Sequence, residues 1–278
     1  MKKIDITVND TDTVMKISDY LKRKHGFSSA LITKVKYGGV TVNGDTVTMR
    51  ATVKKGDTIT VTFTEDESES IPPINIPLNI LYEDDYMIAV DKPSNMPTHP
   101  SRGNSLPTLA NAIMAYMGEP FVFRSINRLD RGTSGIVIIA KDMYSSALLG
   151  RAMKERRIKK KYLALVKGIP SPSEGIIDAP IERMEEGNIK RVVREDGKSA
   201  ITEYKVISIN EDKNALCEIL LHTGRTHQIR VHMAYIGHPL LDDFLYGDSD
   251  GDRFYLRCSE ITLPHPKTNE LITIKATP

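Results

Sequence analysis

A carboxylate between two arginines is the group in this chain best suited to chemistry. Asp130 stands between Arg128 and Arg131 in a turn-rich stretch that leads into the apolar run IVIIA at 136–140. Such a run is typical of a buried strand, so we expect the preceding turn to hold the carboxylate rigidly. The guanidinium groups favour its ionised form, which suits attack at the anomeric carbon of a nucleotide whose phosphates they bind. A turn-capping aspartate paired with an arginine at the surface is the alternative.

The segment 221–239, LHTGRTHQIRVHMAYIGHP, carries a second cluster of polar residues. Its pattern predicts a buried strand, a Thr-Gly turn and a helix start, which places Arg225 where helix N-terminal amides also point and anions bind. A surface charge at the start of the helix is the alternative for this arginine. The four histidines are spaced by five, five and six residues, with no cysteine near them. This spacing fits no zinc motif, so we predict no metal site.

A third block joins basic residues to a tyrosine, with Lys159, Lys160 and Lys161 directly before Tyr162. Strand alternation places Lys160 and Tyr162 on one face, so the ring can stand beside the strand while neighbouring lysines reach phosphates. An aromatic ring next to cations is what an unstacked base needs. The alternatives are cations that complement the end of a preceding helix and a tyrosine that belongs to the core.

Four blocks, in this order along the chain, resemble the RluA-type RNA pseudouridine synthases. They are DKPSNMPTHP at 91–100, RLDRGTSG at 128–135, KKY at 160–162 and TGRTHQIRVH at 223–232, the last of which continues to a Gly-His-Pro run. The resemblance covers residues 78–278. It implies that Asp130 acts at C1′ of a flipped uridine, that Arg225 pairs with Asp130 and that Tyr162 packs on the target base. The implied reaction is an isomerisation with no cofactor.

The same resemblance implies RNA contacts around this centre. Duplex RNA hides its base edges, so the target uridine has to be unpaired or flipped into the pocket. Arg128 or Arg131 is expected as a wedge or phosphate clamp beside the vacated position. For His227 and Arg230, a structural role and an RNA contact are both open. The residues expected to bind RNA are Arg128, Arg131, Lys159, Lys160, Lys161, His227 and Arg230.

The chain departs from the family pattern at a few positions. They are Asn95 for glycine, Asn127 for histidine, Asp242 for glycine and the pair Arg257-Cys258 for His-Ala. Asparagine is the next best residue after glycine for a left-handed turn, so we expect the turn at position 95 to be kept. The three catalytic candidates are untouched, so these departures bear on substrate identity more than on activity.

An acidic stretch rich in serine and proline at 65–77 has the composition of a linker and separates two predicted domains. Residues 1–64 resemble an S4-type RNA-binding domain; a small α/β unit that only packs or dimerises is the alternative. We expect Val14, Ile17 and Leu21 to share the buried face of its first helix, and Ser28 to cap the second. The predicted elements are a strand at 3–8, helices near 13–25 and 29–37, and strands at 40–42 and 58–63.

Residues 78–278 are expected to form the catalytic domain, and the resemblance implies a mixed, mainly antiparallel β-sheet flanked by helices. The fold class is therefore α+β. Strands are predicted at 80–82, 87–90, 135–141, 160–167, 200–208 and 215–222. Helices are predicted near 107–117, near 143–157 and near 226–236.

Composition bounds the compartment and the class. The chain has 278 residues, a net charge of +2 and two cysteines, Cys217 and Cys258, in apolar strand-like runs that are typical of reduced core thiols. Without a signal-peptide pattern or a run of membrane-spanning length, we expect a cytoplasmic protein with no membrane partner, and a monomer. The net charge alone is too mild to imply nucleic acid.

We therefore predict an enzyme that isomerises uridines in structured RNA. Large-subunit ribosomal RNA is the favoured substrate, and transfer RNA is the alternative. A non-catalytic RNA-binding protein is the alternative. It is disfavoured because the carboxylate, the arginine and the aromatic residue are all present. A zinc-dependent nucleobase deaminase would need H-x-E and P-C-x-x-C patterns, which the sequence lacks.

Overall fold

The computed structural model describes residues 2–9, 14–64, 71–100, 107–118, 120–247 and 254–277. Within these ranges the chain forms a four-stranded sheet near the N-terminus and a nine-stranded sheet in the remainder, with helices against both. The predicted α+β class is confirmed.

The N-terminal unit packs two helices on a sheet of strand order β1-β6-β3-β4. Its elements are β1 (Lys2–Thr7), β2 (Met15–Lys16), α1 (Ile17–His25), α2 (Ser29–Val35), β3 (Val40–Val42), β4 (Asp45–Thr46), β5 (Thr52–Val53) and β6 (Thr58–Phe63). Ile17, Leu21, Leu31 and Ile59 are fully buried in one apolar cluster. The backbone N–H of Leu31 donates to the Ser28 side chain at 3.1 Å, so the predicted cap is confirmed.

The first helix is shorter than predicted. It begins at Ile17, because Met15 and Lys16 pair with β5 as a short strand. Val14 is 75% exposed, so its predicted place on the buried face is wrong; a residue that precedes the helix does not follow the helical period. The start of the prediction at position 13 lies outside the described residues.

The larger sheet has the strand order β11-β14-β15-β10-β16-β9-β8-β7, with β17 paired to β16. The six predicted strands correspond to β7, β8, β9, β10, β14 and β15, and the three predicted helices to α3, α4 and α5. The elements are β7 (Ile80–Glu83), β8 (Met87–Lys92), α3 (Leu109–Met117), β9 (Ser134–Ala140), α4 (Met143–Lys154), β10 (Lys159–Val166), β11 (Glu174–Asp178), β12 (Ile181–Arg183), β13 (Arg191–Val193), β14 (Ile201–Ile209), β15 (Ala215–Leu221), α5 (Gln228–Tyr235), β16 (Leu256–Pro264) and β17 (Leu271–Lys275).

A parallel pair in the middle of this sheet brings the catalytic candidates together. Strand β9 runs parallel to β16, whereas the other described pairs of the sheet are antiparallel. Gly135 has φ +107°, and a Cβ there would overlap the backbone of Cys258, so only glycine allows this approach. Strand β16 also pairs with β10, where Tyr162 lies opposite Cys258. The loop before β9, which carries Asp130, therefore lies close to Tyr162.

The N-terminal unit contacts helix α4. The ring centroids of Phe27 and Tyr144 are 5.0 Å apart, and Arg151 Nη1 donates to the carbonyl of Arg23 at 3.3 Å. The two units therefore share a direct contact, although the boundary predicted at position 64 stays a prediction.

The second half of the predicted linker is tied to the larger unit. Residues 65–70 lie outside the described ranges. Beyond them, Ile71 packs against the main core, the N–H of Ile74 donates to the carbonyl of Asn111 at 3.1 Å, and Asn111 Nδ2 donates to the carbonyl of Pro72 at 2.8 Å. Residues 72–75 are exposed, as a linker would be, but their backbone is hydrogen-bonded to α3.

Candidate active site

A cavity of about 630 Å³ collects most of the predicted site residues. It contains all three catalytic candidates, Asp130, Tyr162 and Arg225. The predicted RNA-binding residues that line it are Arg128, Lys159, Lys160, His227 and Arg230. Arg131 lines a second cavity of about 370 Å³, which shares Asp130, His227 and Arg230 with the first.

The loop that carries Asp130 is fixed by its backbone. Thr98 Oγ1 donates to the carbonyl of Leu129 at 2.8 Å, and Ser94 Oγ donates to the carbonyl of Gly132 at 2.8 Å. The N–H of Thr133 closes the turn on the carbonyl of Asp130 at 3.0 Å. Because the carbonyls of Leu129 and Gly132 are both tied to a distant segment, the backbone that carries the carboxylate is fixed before any substrate binds.

Buried Lys92 completes this frame. Its Nζ donates to the carbonyls of Met96 at 2.7 Å and Pro93 at 2.9 Å, and it lies 3.5 Å from the carbonyl of Arg131. Burial lowers the pKa of Lys92 to about 8, against the opposing effects of Asp130 and Asp91. These contacts give the segment that contains Lys92 a structural role at the base of the Asp130 loop.

The Asp130 side chain is 38% exposed, open enough to reach a substrate in the cavity. Its basic neighbour is His227, whose Nε2 is 3.9 Å from Asp130 Oδ2. Arg225 lines the same cavity, but the described residues show no ion pair between it and Asp130. The implied pairing is therefore absent from this structure. The reason is that Arg225 is exposed and turns its Nε to the carbonyl of Ser199 at 3.0 Å.

Tyr162 lies on the buried face of β10, as strand alternation predicts, and is 5% exposed. Burial is the largest cause that raises the pKa of its hydroxyl well above the ordinary value, and the adjacent Cys258 thiol and Asp130 act in the same direction. The ring is thus neutral and lines the cavity with its apolar surface, which suits contact with a base.

The three lysines before Tyr162 do not act together. Lys159 and Lys160 line the cavity, but Lys161 points to the other face of the sheet, where Nζ lies 3.5 Å from Glu218 and 3.9 Å from Glu260. Lys161 therefore lies outside the lining of the cavity, and its expected RNA contact stays a prediction.

Arg230 is 4% exposed and donates through Nε and Nη2 to Asp243 at 2.7 and 2.6 Å. Its guanidinium carbon also lies 4.9 Å from the ring centroid of Tyr246 and 4.5 Å from that of Phe254. This buried, two-point ion pair compensates the charge of Arg230 and holds its guanidinium inside the protein. Of its two open roles, the structure supports the structural one.

The family is shown by comparison with known proteins. The RNA pseudouridylate synthase family model matches residues 86–235. The chain is 38% identical over 253 residues to the uncharacterised RNA pseudouridine synthase YjbO of Bacillus subtilis, which covers 88% of this chain and 89% of that protein. The chain belongs to the RNA pseudouridylate synthase family. The predicted enzyme class, an RNA isomerase, is confirmed, and the non-catalytic alternative is set aside.

Two further relatives of this synthase are informative. It is 36% identical over 264 residues to the ribosomal large subunit pseudouridine synthase D of Pasteurella multocida, which covers 88% of this chain and 81% of the relative. The solved structure of human RNA pseudouridylate synthase domain containing 1 matches with a TM-score of 0.63 at 26% identity, over 73% of this chain and 84% of the human one. The fold expected from the resemblance is confirmed.

The synthase accommodates its departures from the family pattern. Asn95 and Asp242 adopt φ values of +64° and +61°, so both keep the left-handed turn that glycine supplies elsewhere. Asn127 Nδ2 donates to the carbonyl of Ile136 at 2.9 Å and thereby attaches the Asp130 loop to β9. Arg257 Nη2 donates to Asp91 at 2.7 Å, a contact that the sequence did not indicate.

The described part of the synthase has neither a metal-binding cluster nor a membrane-spanning helix. There, no group of three or more His, Cys, Asp or Glu side chains is arranged to hold a metal ion. Nor is any helix in that part long and apolar enough to cross a membrane.

Proposed function

We propose that this synthase converts specific uridines of large-subunit ribosomal RNA to pseudouridine, with Asp130, Tyr162 and Arg225 as its catalytic residues. The observation that supports the assignment most strongly is that all three line one cavity, around a carboxylate that the loop holds in place. The ribosomal target is supported by the relatives named ribosomal large subunit pseudouridine synthase D, of which the Pasteurella multocida protein aligns over most of this chain.

The reaction moves the base without net gain or loss of atoms. The bond between N1 and C1′ breaks, the uracil turns, and a bond between C5 and C1′ forms; C5 loses a proton and N1 gains one. Asp130 acts at C1′, either by adding to it or by stabilising an oxocarbenium-like sugar while C2′ loses a proton, which returns to C2′ when C5 bonds to C1′. Tyr162 offers an apolar ring surface against which the detached base is retained while it turns.

The target nucleotide has to leave the RNA stack to reach the carboxylate. Arg128 is exposed at the cavity, and Lys159 and Lys160 line it from β10. Arg131 is exposed at the neighbouring cavity, which meets the first at Asp130. We propose that these cations bind phosphates on both sides of the flipped uridine, where their charge raises affinity in a salt-dependent way.

We also propose that residues 1–64 bind RNA as an S4-like domain. The last turn of α1 carries four consecutive basic residues; Lys24 is exposed, and so is the pair Lys22 and Arg23. Replacement of both by alanine in the full chain should raise the RNA concentration for half-maximal rate and leave the maximal rate unchanged. The salt slope of binding should fall by up to about 2, because each cation neutralises about one phosphate. An unchanged salt slope would remove this helix from the RNA interface.

A cytoplasmic monomer is proposed as the working form. Both cysteines are buried and unbridged, which fits a reducing compartment. Sedimentation of the purified protein at micromolar concentration should give the mass of one chain, and a stable dimer would contradict the proposal.

The decisive experiment for the substrate maps pseudouridines at nucleotide resolution in total RNA from cells with and without the gene. Loss of one or more sites in large-subunit ribosomal RNA is expected. Loss confined to transfer RNA would overturn the ribosomal assignment and keep the isomerase. Purified protein should then release tritium from C5-labelled uridine in a transcript of the mapped region, which shows that the effect is direct.

A further inference from the structure

His227 and Tyr246 form a hydrogen-bonded pair beside the catalytic carboxylate. His227 Nδ1 lies 2.8 Å from the Tyr246 hydroxyl, and His227 Nε2 lies 3.9 Å from Asp130 Oδ2. His227 precedes α5 with φ +57°, a left-handed conformation that non-glycine residues rarely adopt. Such backbone strain is typical of functional positions where the side chain has to be placed accurately.

The hydrogen bonds determine which ring nitrogen of His227 carries the proton. The Tyr246 hydroxyl accepts from the backbone N–H of Arg191 at 2.9 Å. Among the described residues, its own proton has one acceptor, His227 Nδ1. Burial raises the pKa of Tyr246 to about 12, so the hydroxyl keeps that proton. Nδ1 is therefore the acceptor, and the proton of a neutral His227 is on Nε2, which faces Asp130.

The surroundings keep His227 neutral. Burial is the largest cause that lowers its pKa, Arg230 and Arg191 lower it further, and Asp130 and Asp243 oppose them. The Arg230 charge is itself compensated by the two-point pair with Asp243. A neutral donor orients a carboxylate and leaves it more nucleophilic than a cation would, because a cation stabilises the ionised form more strongly.

We propose that His227 and Tyr246 are positioning residues for Asp130: Tyr246 fixes the His227 tautomer, and His227 Nε2–H binds Oδ2 and turns Oδ1 towards C1′. The inference rests on the proposed role of Asp130. The distance of 3.9 Å is longer than a hydrogen bond, and it has to shorten by about 1 Å when the substrate fills the cavity. This gives His227 a part in the reaction in place of the RNA contact expected from its sequence position.

Two substitutions of His227 separate this role from a purely structural one. The amide nitrogen of glutamine superposes on Nε2 of histidine, whereas that of asparagine superposes on Nδ1 and does not reach Asp130. Asparagine, however, tolerates the left-handed backbone better than glutamine. His227→Gln should therefore keep kcat within about fivefold of wild type while His227→Asn loses about thirtyfold or more, with KM changed less than about threefold in both. The stability of the two variants should run in the opposite order.

Tyr246→Phe tests the other half of the pair. Loss of the hydroxyl frees Nδ1, so both tautomers become accessible, and kcat should fall about tenfold with KM unchanged. Tyr235→Phe is the matched control, since this exposed tyrosine on α5 lies outside both cavities, and it should behave as wild type. The nitrogen-15 shifts of the His227 ring, assigned by comparison with His227→Gln, should show a proton on Nε2 in wild type and a mixture in Tyr246→Phe.

Two results would overturn the proposal. One is a wild-type spectrum with the proton on Nδ1 in the free protein. The other is a His227→Asn variant that is as active as His227→Gln, which would mean that only the backbone at position 227 matters. The spectrum is recorded without RNA, so it stays decisive even where wild type fails to release tritium, a failure that would instead refute the proposed function.

Discussion

The two walls of the active-site cavity are held in different ways. On the first wall, called the fixed wall, Thr98 and Ser94 donate hydrogen bonds to backbone carbonyls of the Asp130 loop, and Lys92 lies beneath the loop. On the other wall Arg225 is exposed, and its guanidinium donates to the carbonyl of Ser199. The backbone beneath the carboxylate is therefore preorganised, whereas Arg225 forms no ion pair with Asp130 among the described residues.

From this difference we expect Asp130 and Arg225 to reach their working positions at different stages of the proposed reaction. A carboxylate on a backbone that is fixed before binding needs only a side-chain adjustment when charge develops at C1′. Arg225 is exposed and would exchange its hydrogen bond to Ser199 for a two-point contact with Asp130 once RNA fills the cavity. We expect the Arg225–Asp130 pair implied by the family resemblance to form in the RNA complex.

The largest effect is expected on the fixed wall. Asp130→Asn preserves the shape of the side chain and removes the charge needed at C1′, so turnover should fall by at least about a thousandfold while RNA affinity changes little. Asp85→Asn, at an exposed aspartate outside the cavity, is the control and should match wild type. The assay is tritium release from C5-labelled uridine in RNA. Turnover of the Asp130 variant within tenfold of wild type would remove this residue from the mechanism.

The next effect is expected at Arg225, on the other wall. Arg225→Ala should lower turnover about a hundredfold, and Arg225→Lys nearly as much, because lysine keeps the charge but loses the planar two-point contact. Since Arg225 is exposed, the free energy of unfolding in urea should change by less than about 0.5 kcal/mol.

Arg230→Met provides the contrast, because it leaves Asp243 as an uncompensated buried charge and should lower the free energy of unfolding by about 3–5 kcal/mol. If Arg225→Lys keeps most of the wild-type turnover, Arg225 contributes only its positive charge and not a two-point contact.

The fixed wall could be predicted from the sequence to a greater extent than the wall that carries Arg225. The apolar run after Asp130 and the turn-forming Asn95 are local signals, and the structure has the strand and the left-handed turn where they predict them. The alternation of β10 also predicts which lysine shares a face with Tyr162: it is Lys160 and not Lys161.

What the sequence left open depends on contacts between distant segments. The parallel pairing of β9 with β16 joins residues more than a hundred positions apart, and no local period reports it. The burial of Arg230 depends on Asp243, in a later turn, and the outward turn of Arg225 depends on Ser199. Side-chain direction in such loops is set by tertiary partners, so the motif identified the residues of the site but not their geometry.

A smaller effect is expected from one of the ties on the fixed wall. Thr98 Oγ1 donates to the carbonyl of Leu129 and accepts from its N–H at 3.2 Å. Thr98→Val keeps the shape and leaves both groups unpaired, which should lower the free energy of unfolding by about 1–3 kcal/mol and turnover about tenfold. Thr98→Ser keeps the hydroxyl and is the control, with turnover near wild type. An active Thr98→Val variant would show that the loop does not need this tie.

The smallest effect is a pH dependence from Lys92, whose link to the Asp130 loop is its longest contact, 3.5 Å to the carbonyl of Arg131. The pKa of Lys92 is about 8 in the folded chain and about 10.5 when unfolded, so above pH 8 the unfolded chain binds more protons. Stability should therefore rise with pH in wild type relative to Lys92→Met, by up to about 1 kcal/mol between pH 8 and pH 9. Urea denaturation of both proteins at pH 7, 8 and 9 measures this difference. Parallel curves would mean that Lys92 titrates as it does in water, and that the frame beneath Asp130 is looser than the structure describes.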